Sequence, residues 1–152
     1  MTKIIVCMLS KKTQYSILAL VRLAREYEKG PVLISSISES ERIPQKFLES
    51  ILLELKKTGY VNSKKGKGGG YYLIKNPNEV NLADLHRLFE GAIALLPCAS
   101  TKFYESCHHC KDEETCGIRS KIKDIRDETV RMMKAISLAD IITRENDLLK
   151  TF

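Results

Sequence analysis

Residues 44–58 constrain the fold more than any other stretch of the chain. Phe47, Leu48, Ile51, Leu52 and Leu55 fall at i, i+1, i+4, i+5 and i+8, which is one stripe of an α-helix. The opposite side of the same stretch shows Gln45, Lys46, Glu49, Ser50, Lys56 and Lys57. At ~1.5–3 kcal/mol for each fully buried side chain, the apolar stripe must be fixed to a core. The polar side is then left to solvent or to a partner. Pro44 is expected at the first helical position, where its fixed φ suits the helix, and Gly59 is expected as the C-cap.

Upstream, Tyr15, Ile17, Leu18, Leu20, Val21 and Ala24 recur at helical spacing and predict a helix over Lys12–Glu28, ended by Gly30-Pro31. Val32 and Leu33 lead into a two-turn helix over Ile34–Glu41, with Arg42 and Ile43 as the turn before Pro44. Downstream, Tyr60-Val61 and Tyr71-Tyr72-Leu73-Ile74 flank a polar tip from Asn62 to Gly70, which holds four glycines and three lysines. That pattern predicts a hairpin able to approach another backbone closely. Asn81 and Asp84 resemble a capping box opening a helix with Leu82, Leu85, Leu88 and Phe89 inward. His86, beside Arg87, is expected on the polar side of that helix. A cysteine-rich loop runs from Pro97 to about Gly117. Ile118, Ile122, Ile125, Thr129, Met132 and Ile136 are then spaced 4, 3, 4, 3 and 4, a 3.5-residue period that predicts a seam against a partner helix. Ser137 and Asp140 form a second capping-box pattern before Leu138, Ile141 and Ile142. The expected organisation is therefore 1–80, 81–117 and 118–152.

The net charge is +6, and its location is informative. Between Arg42 and Lys75 stand eight basic and two acidic residues, so that segment alone carries the whole excess. The six-residue apolar run Ile4–Leu9 precedes Ser10-Lys11-Lys12, the reverse of a secretory signal, and Met8 is a second candidate start. No run approaches the ~20 apolar residues of a membrane span. A cytoplasmic protein without a membrane partner is expected, and there five cysteines point to metal binding or reactivity rather than structural disulfides. Cys7, alone in the N-terminal run, is expected to be an incidental thiol.

Helix, helix, tight turn, amphipathic helix and basic glycine hairpin is the order of a winged helix-turn-helix. The expected fold is mainly α with a small β-hairpin wing and a long C-terminal dimerisation helix. The major groove of B-DNA is ~12 Å wide and admits one helix, while a lysine-bearing tip suits the phosphate backbone or the minor groove. A solvated basic helix beside a mobile hairpin is the alternative. Gly66-Lys67-Gly68-Gly69-Gly70-Tyr71 lacks the spacing of a phosphate-binding loop. Nothing supplies a paired base with an orienting carboxylate or a nucleotide fingerprint, so no enzyme and no small-molecule substrate is expected.

The run Phe47 to Val61, followed by Lys64-Lys65-Gly66-Lys67-Gly68-Gly69-Gly70-Tyr71, closely resembles the Rrf-type winged-helix transcriptional regulators. Leu9-Ser10-Lys11 and Leu138-Ala139-Asp140 resemble them too. The resemblance implies a homodimer joined through the long helix, acting on a partly palindromic operator, with repression as the expected mode. It makes Pro44–Thr58 the recognition helix and Glu49 an acidic position that helps set sequence preference. The expected contacts with double-stranded DNA are Lys11, Ser35, Pro44, Gln45, Lys46, Glu49, Ser50, Lys64, Lys65, Lys67, Gly68, Gly69 and Tyr71. Two residues depart from the family pattern: Arg42 stands where glycine is usual, and Pro44 where serine is usual.

Cys98, Cys107, Cys110 and Cys116, with His108 and His109 among them, form the second constellation. Thiolates are the usual iron–sulfur ligands. The family commonly spaces three such cysteines by two gaps of five residues; Cys110 to Cys116 keeps one gap, and Cys107 is additional. Some members complete a cluster with a carboxylate near the start of the first helix, and the aligned position here is the neutral Gln14. The four cysteines are therefore the expected ligands of an iron–sulfur cluster (2Fe-2S or 4Fe-4S) sensing iron–sulfur, redox or nitrosative state. The alternatives are zinc, for which Cys107-x2-Cys110 is well spaced, a redox disulfide, or no bound species.

Overall fold

The computed structural model describes residues 9–151; Cys7 and Met8 lie outside them. Ser10 opens the first helix, its hydroxyl accepting from the Thr13 N–H at 3.2 Å. Helix α1 (Lys11–Arg25) buries Ala19, Leu20, Val21, Leu23 and Ala24. It ends earlier than its apolar spacing predicts, because the chain turns over Glu26–Lys29 and Glu28 adopts a left-handed conformation at φ 63°.

Helix α2 (Ile34–Glu41) buries only Ile37. It stops at Arg42, which sits in the left-handed region at φ 53°, ψ 42°, while the Ile43 N–H reaches back to the Ser38 carbonyl at 3.0 Å. The family's usual glycine falls at this position, so the departure now has a physical meaning: a side chain occupies a conformation that glycine adopts without strain. Helix α3 (Gln45–Lys57) follows. Pro44 is its N-cap rather than its first residue, with ψ 124°, and supplies only its carbonyl, to the N–H groups of Phe47 and Leu48. Leu48, Ile51, Leu52 and Leu55 are wholly buried. Phe47 lies instead at the rim, 36% exposed, edge-on to Tyr15 with ring centroids 5.6 Å apart. At the far end the Gly59 N–H bonds to Lys56 and the Tyr60 N–H to Leu55, a paired closure of the last carbonyls.

Strands β1 (Val61–Lys64) and β2 (Gly70–Leu73) pair antiparallel, Val61 opposite Leu73 and Lys64 opposite Gly70. Pairing thus extends into the expected tip and leaves a shorter one, residues 65–69. Val32 forms a further bridge to Tyr71, with both N–H···O bonds at 2.8 Å.

The chain forms two compact units, residues 1–80 with 137–152, and residues 81–136. Helix α6 (Leu138–Thr151) belongs to the first unit instead of extending a C-terminal segment that starts at 118. Leu138 is fully buried, and Glu145 pairs with Arg25 of α1. Its start is a reciprocal box: the Asp140 N–H donates to Ser137 Oγ at 3.1 Å, and the Ser137 N–H to Asp140 Oδ2 at 2.8 Å. The Ser137 hydroxyl also donates to Asp140 Oδ2 at 2.6 Å, and it and then the Ser137 N–H hold the Asp140 carboxyl below its ordinary range.

The second unit contains α4 (Leu82–Phe89), a 3₁₀ turn at Pro97–Ala99, and α5 (Gly117–Lys134). Asn81 caps α4 by accepting from the Asp84 N–H at 3.0 Å. His86 is buried, contrary to its expected surface position, because it stands four residues after Leu82 and three after Ala83 on the inward side. Its Nδ1 has no hydrogen-bond partner among the described residues, and burial lowers its pKa, favouring the neutral ring. Ile136 lies just past α5, its carbonyl accepting from the Leu82 N–H.

Arg42→Gly should relieve the left-handed turn between α2 and α3. The expected gain is about 0.5–1 kcal/mol, read as a rise of roughly 1–4 °C in the thermal midpoint. A fall in the midpoint would mean that the Arg42 side chain is itself stabilising.

Candidate nucleic-acid interface and cysteine loop

Within the first unit, α3 is amphipathic in fact as well as in pattern. Its core stripe is fully buried, while Gln45, Lys46, Glu49 and Ser50 are exposed in one patch next to the exposed Pro44. Gln45 Nε2 donates to Glu49 Oε1 at 3.4 Å, so two groups suited to reading base edges are held side by side. Ser50 donates its hydroxyl back to the Phe47 carbonyl at 2.7 Å, leaving its oxygen outward as an acceptor. Ser35, in the first turn of α2, and Lys11, in the first turn of α1, are also exposed. Lys11 Nζ lies 3.4 Å from Gln14 Oε1.

The wing supplies cations beside that helix. Lys64, Lys65, Lys67 and Gly68 are exposed, and Tyr71 is half-buried with its backbone paired to Val32. Gly69 differs from the expectation of a DNA-facing glycine. It is buried in the hairpin, and a Cβ there would stand 2.3 Å from the Lys64 carbonyl oxygen, so turn closure itself demands glycine. The same holds at Gly70, where a Cβ would meet the Val32 carbonyl at 2.3 Å. Lys56 Nζ donates to Ser63 Oγ at 2.7 Å and braces the helix against β1, a contact between residues that no sequence motif linked. Lys75 lies 4.1 Å over the Tyr60 ring and is thereby drawn to the hairpin's base.

In the second unit the cysteine loop is anchored by α5. Arg119 Nε donates to the Cys98 carbonyl at 2.9 Å, and Arg126, two turns on, donates to the Ala99 carbonyl. Sequence reasoning missed both arginines, although their seven-residue spacing places them on one face of the helix. Cys98 is consequently buried, whereas Cys107 is exposed and Cys110 and Cys116 are half-buried. Cys116 is the N-cap of α5, accepting from the Arg119 N–H at 3.5 Å, and it neighbours Cys110, whose thiol donates to the Asp112 carbonyl at 3.2 Å. The Arg119 N–H is the chief cause that lowers the Cys116 thiol pKa; desolvation, followed by the neighbouring Cys116 thiol, raises that of Cys110. Of the five apolar seam residues, Ile118, Ile125, Met132 and Ile136 are 71%, 50%, 55% and 36% exposed, with Ile122 and the polar Thr129 half-buried between them.

Residues 9–144 match the family model Rrf2, described as an iron-dependent transcriptional regulator. The chain belongs to the Rrf2 family. It is 35% identical over 146 residues to an rrf2-like HTH-type transcriptional regulator of Rhodobacter capsulatus, covering 94% of this chain and 97% of that protein. It is 26% identical over 140 residues to the HTH-type transcriptional regulator IscR of Photorhabdus laumondii, covering 92% and 82% of the two chains. Among solved structures, CymR, the global cysteine regulator of B. subtilis, superposes with a TM-score of 0.74 at 24% identity, over 90% of this chain and 96% of that one.

This Rrf2 protein is thus a helix-turn-helix transcriptional regulator and not an enzyme, and its family binds DNA. No helix among the described residues is long and apolar enough to cross a membrane. An iron–sulfur cluster or a zinc ion requires several converging donors, and the loop does not present them as folded. It brings two thiols together, and no group of three or more His, Cys, Asp or Glu side chains among the described residues is placed to hold a metal ion. Cys98 is held at the start of the loop by the two arginine bonds, while the Cys107 side chain is turned to solvent.

Proposed function

We propose that the chain acts in the cytoplasm as a homodimeric, sequence-specific repressor on a partly palindromic operator. Helix α3 lies in the major groove, the wing lysines lie along the phosphates, and the cysteine loop carries the signal. The observation that carries this reading is the outer face of α3 beside the exposed wing. Gln45 and Glu49 offer base-reading groups, and Lys64, Lys65 and Lys67 offer charge, in one unit braced by Lys56 and Ser63. Lys11, Ser35, Pro44, Lys46, Ser50, Gly68 and Tyr71 complete the proposed contact set; Gly69 supports it from inside the turn.

The exposed seam of α5 supports the dimer. Ile118, Ile122, Ile125, Thr129, Met132 and Ile136 form an apolar line that a second copy of the same helix covers under two-fold symmetry. A dimer then presents two recognition helices to two half-sites.

For the sensor, the relatives named IscR and the iron-dependent family description favour iron–sulfur binding through Cys98, Cys107, Cys110 and Cys116. The loop as folded does not converge the donors that such a group requires. The neighbouring thiols of Cys110 and Cys116 favour a second reading, a thiol switch. In that reaction the two thiols lose two protons and two electrons to a peroxide, which leaves as two waters, and one S–S bond forms.

Replacing Lys64, Lys65 and Lys67 together by Ala should weaken binding to all DNA sequences and flatten the slope of log affinity against log salt by roughly three. Gln45→Ala or Glu49→Ala should instead change the preferred sequence, at ~1–3 kcal/mol per lost base contact. Titration by gel shift at several salt concentrations decides, and an unchanged slope in the triple variant removes the wing from the interface.

Ile125→Glu should convert a dimer to a monomer in sedimentation and reduce operator affinity more than a hundredfold, since each half-site then binds alone. A wild-type chain that sediments as a monomer at micromolar concentration would refute the seam.

Iron and sulfide analysis of anaerobically reconstituted protein separates the two sensor readings. Cluster binding predicts near-stoichiometric iron and sulfide, lost in Cys110→Ala and Cys116→Ala. The thiol switch predicts neither element, together with the loss of two free thiols on peroxide treatment in the wild type and of none in Cys116→Ala.

A further inference from the structure

A cavity that the regulator reading leaves unused lies within residues 81–136. It holds about 100 Å³ and is lined by Arg87, Ser100, Thr101, Lys102, Arg126 and Asp127, with the bend around Gly91 closing one side. The lining is rich in donors and poor in free acceptors. Ser100 is 8% exposed, and its Oγ already accepts from the Phe103 N–H at 3.0 Å, which leaves the hydroxyl proton to give away. Thr101 adds a second hydroxyl. Asp127, the sole carboxylate of the lining, is engaged by Arg126 through Nη2 at 2.6 Å.

The other two cations are poorly compensated. Arg87 Nη1 reaches Asp84 only at 3.6 Å, and Lys102 has no carboxylate partner among the described residues, its Nζ lying 5.6 Å from the Phe103 ring centre. Two like charges beside one partly enclosed space repel each other, and that repulsion is relieved when an anion sits between them. The volume is several times the ~30 Å³ share of one water and suits a group of about five heavy atoms.

We propose that this cavity binds a small doubly charged anion of the phosphate type. Arg87 and Lys102 supply the charge, and the Ser100 hydroxyl donates to one of its oxygens. Arg126 links the anion to the sensor loop, since the same guanidinium that lines the cavity also holds the Ala99 carbonyl beside Cys98. The ligand therefore stiffens the turn at Pro97–Ala99, a role independent of how the chain reads DNA.

The test is calorimetric titration with inorganic phosphate at constant ionic strength. It uses the full chain carrying Lys64→Ala, Lys65→Ala and Lys67→Ala, so that the wing does not compete for the anion. One saturable site per chain is expected. Combining Arg87→Gln with Lys102→Gln should weaken it at least about tenfold, the scale of one lost charge-assisted bond. Both residues are exposed, so the fold should persist, and circular dichroism checks this. Phosphate should also slow amide exchange at Ala99 and Ser100. No saturable heat, or equal affinity in the double variant, overturns the site; unchanged exchange at Ala99 and Ser100 overturns its link to the loop.

Discussion

Everything in the unit of residues 1–80 and 137–152 depends on the burial of one stripe of α3. Leu48, Ile51, Leu52 and Leu55 are completely removed from water, and at ~1.5–3 kcal/mol each they outweigh any single polar contact in the unit. A helix pinned this strongly cannot rotate about its axis. The direction in which Gln45, Lys46 and Glu49 point is therefore set by side chains on the opposite face. The cap contributes little to that alignment, because Pro44 offers a carbonyl and no side-chain acceptor. Specificity at the surface is a by-product of packing beneath it.

In the second unit Leu85 and Ala83 are fully buried, but α5 is held to the loop by arginines. α5 buries no residue of its own, and its hold on the preceding loop runs through guanidinium bonds to the Cys98 and Ala99 carbonyls. Such bonds fix backbone position without filling a core. The arrangement suits a loop whose chemistry lies at thiols: one end is tethered, and the residues between Thr101 and Thr115 are left largely exposed. Cys116 serves twice here, as a thiol beside Cys110 and as the acceptor that opens α5.

Where the sequence was legible, one periodicity dominated. The α3 stripe, the wing lysines and the two capping boxes at Asn81 and Ser137 each follow from short-range spacing, and each stands in the structure where that spacing places it. Legibility failed where tertiary context intervened. His86 looked polar because Arg87 is its neighbour, yet helical geometry turns it inward with Ala83 and Leu85. Phe47 belongs to the apolar stripe by count but sits at its rim against Tyr15. Gly69 is expected at a point of close approach to DNA, and the fold adds a close approach within its own hairpin that the sequence did not signal. The bonds from Arg119 and Arg126 span 21 and 27 residues, beyond any local pattern. The four cysteines share one stretch of 19 residues in the chain, yet among them it is Cys110 and Cys116 whose thiols are neighbours in the fold.

The return of α6 to the first unit makes that unit discontinuous in the chain. At ~5–20 residues per second of synthesis, residues 1–80 emerge several seconds before the helix that packs on α1. Until Leu138 is available, the surface it covers stays wet, while residues 81–136 already have every segment they require. Residues 81–136 are therefore the half able to finish first on the ribosome. By the same geometry, a stop codon between residues 138 and 145 removes the Glu145 partner of Arg25 and strips support from α1, leaving residues 81–136 whole in sequence.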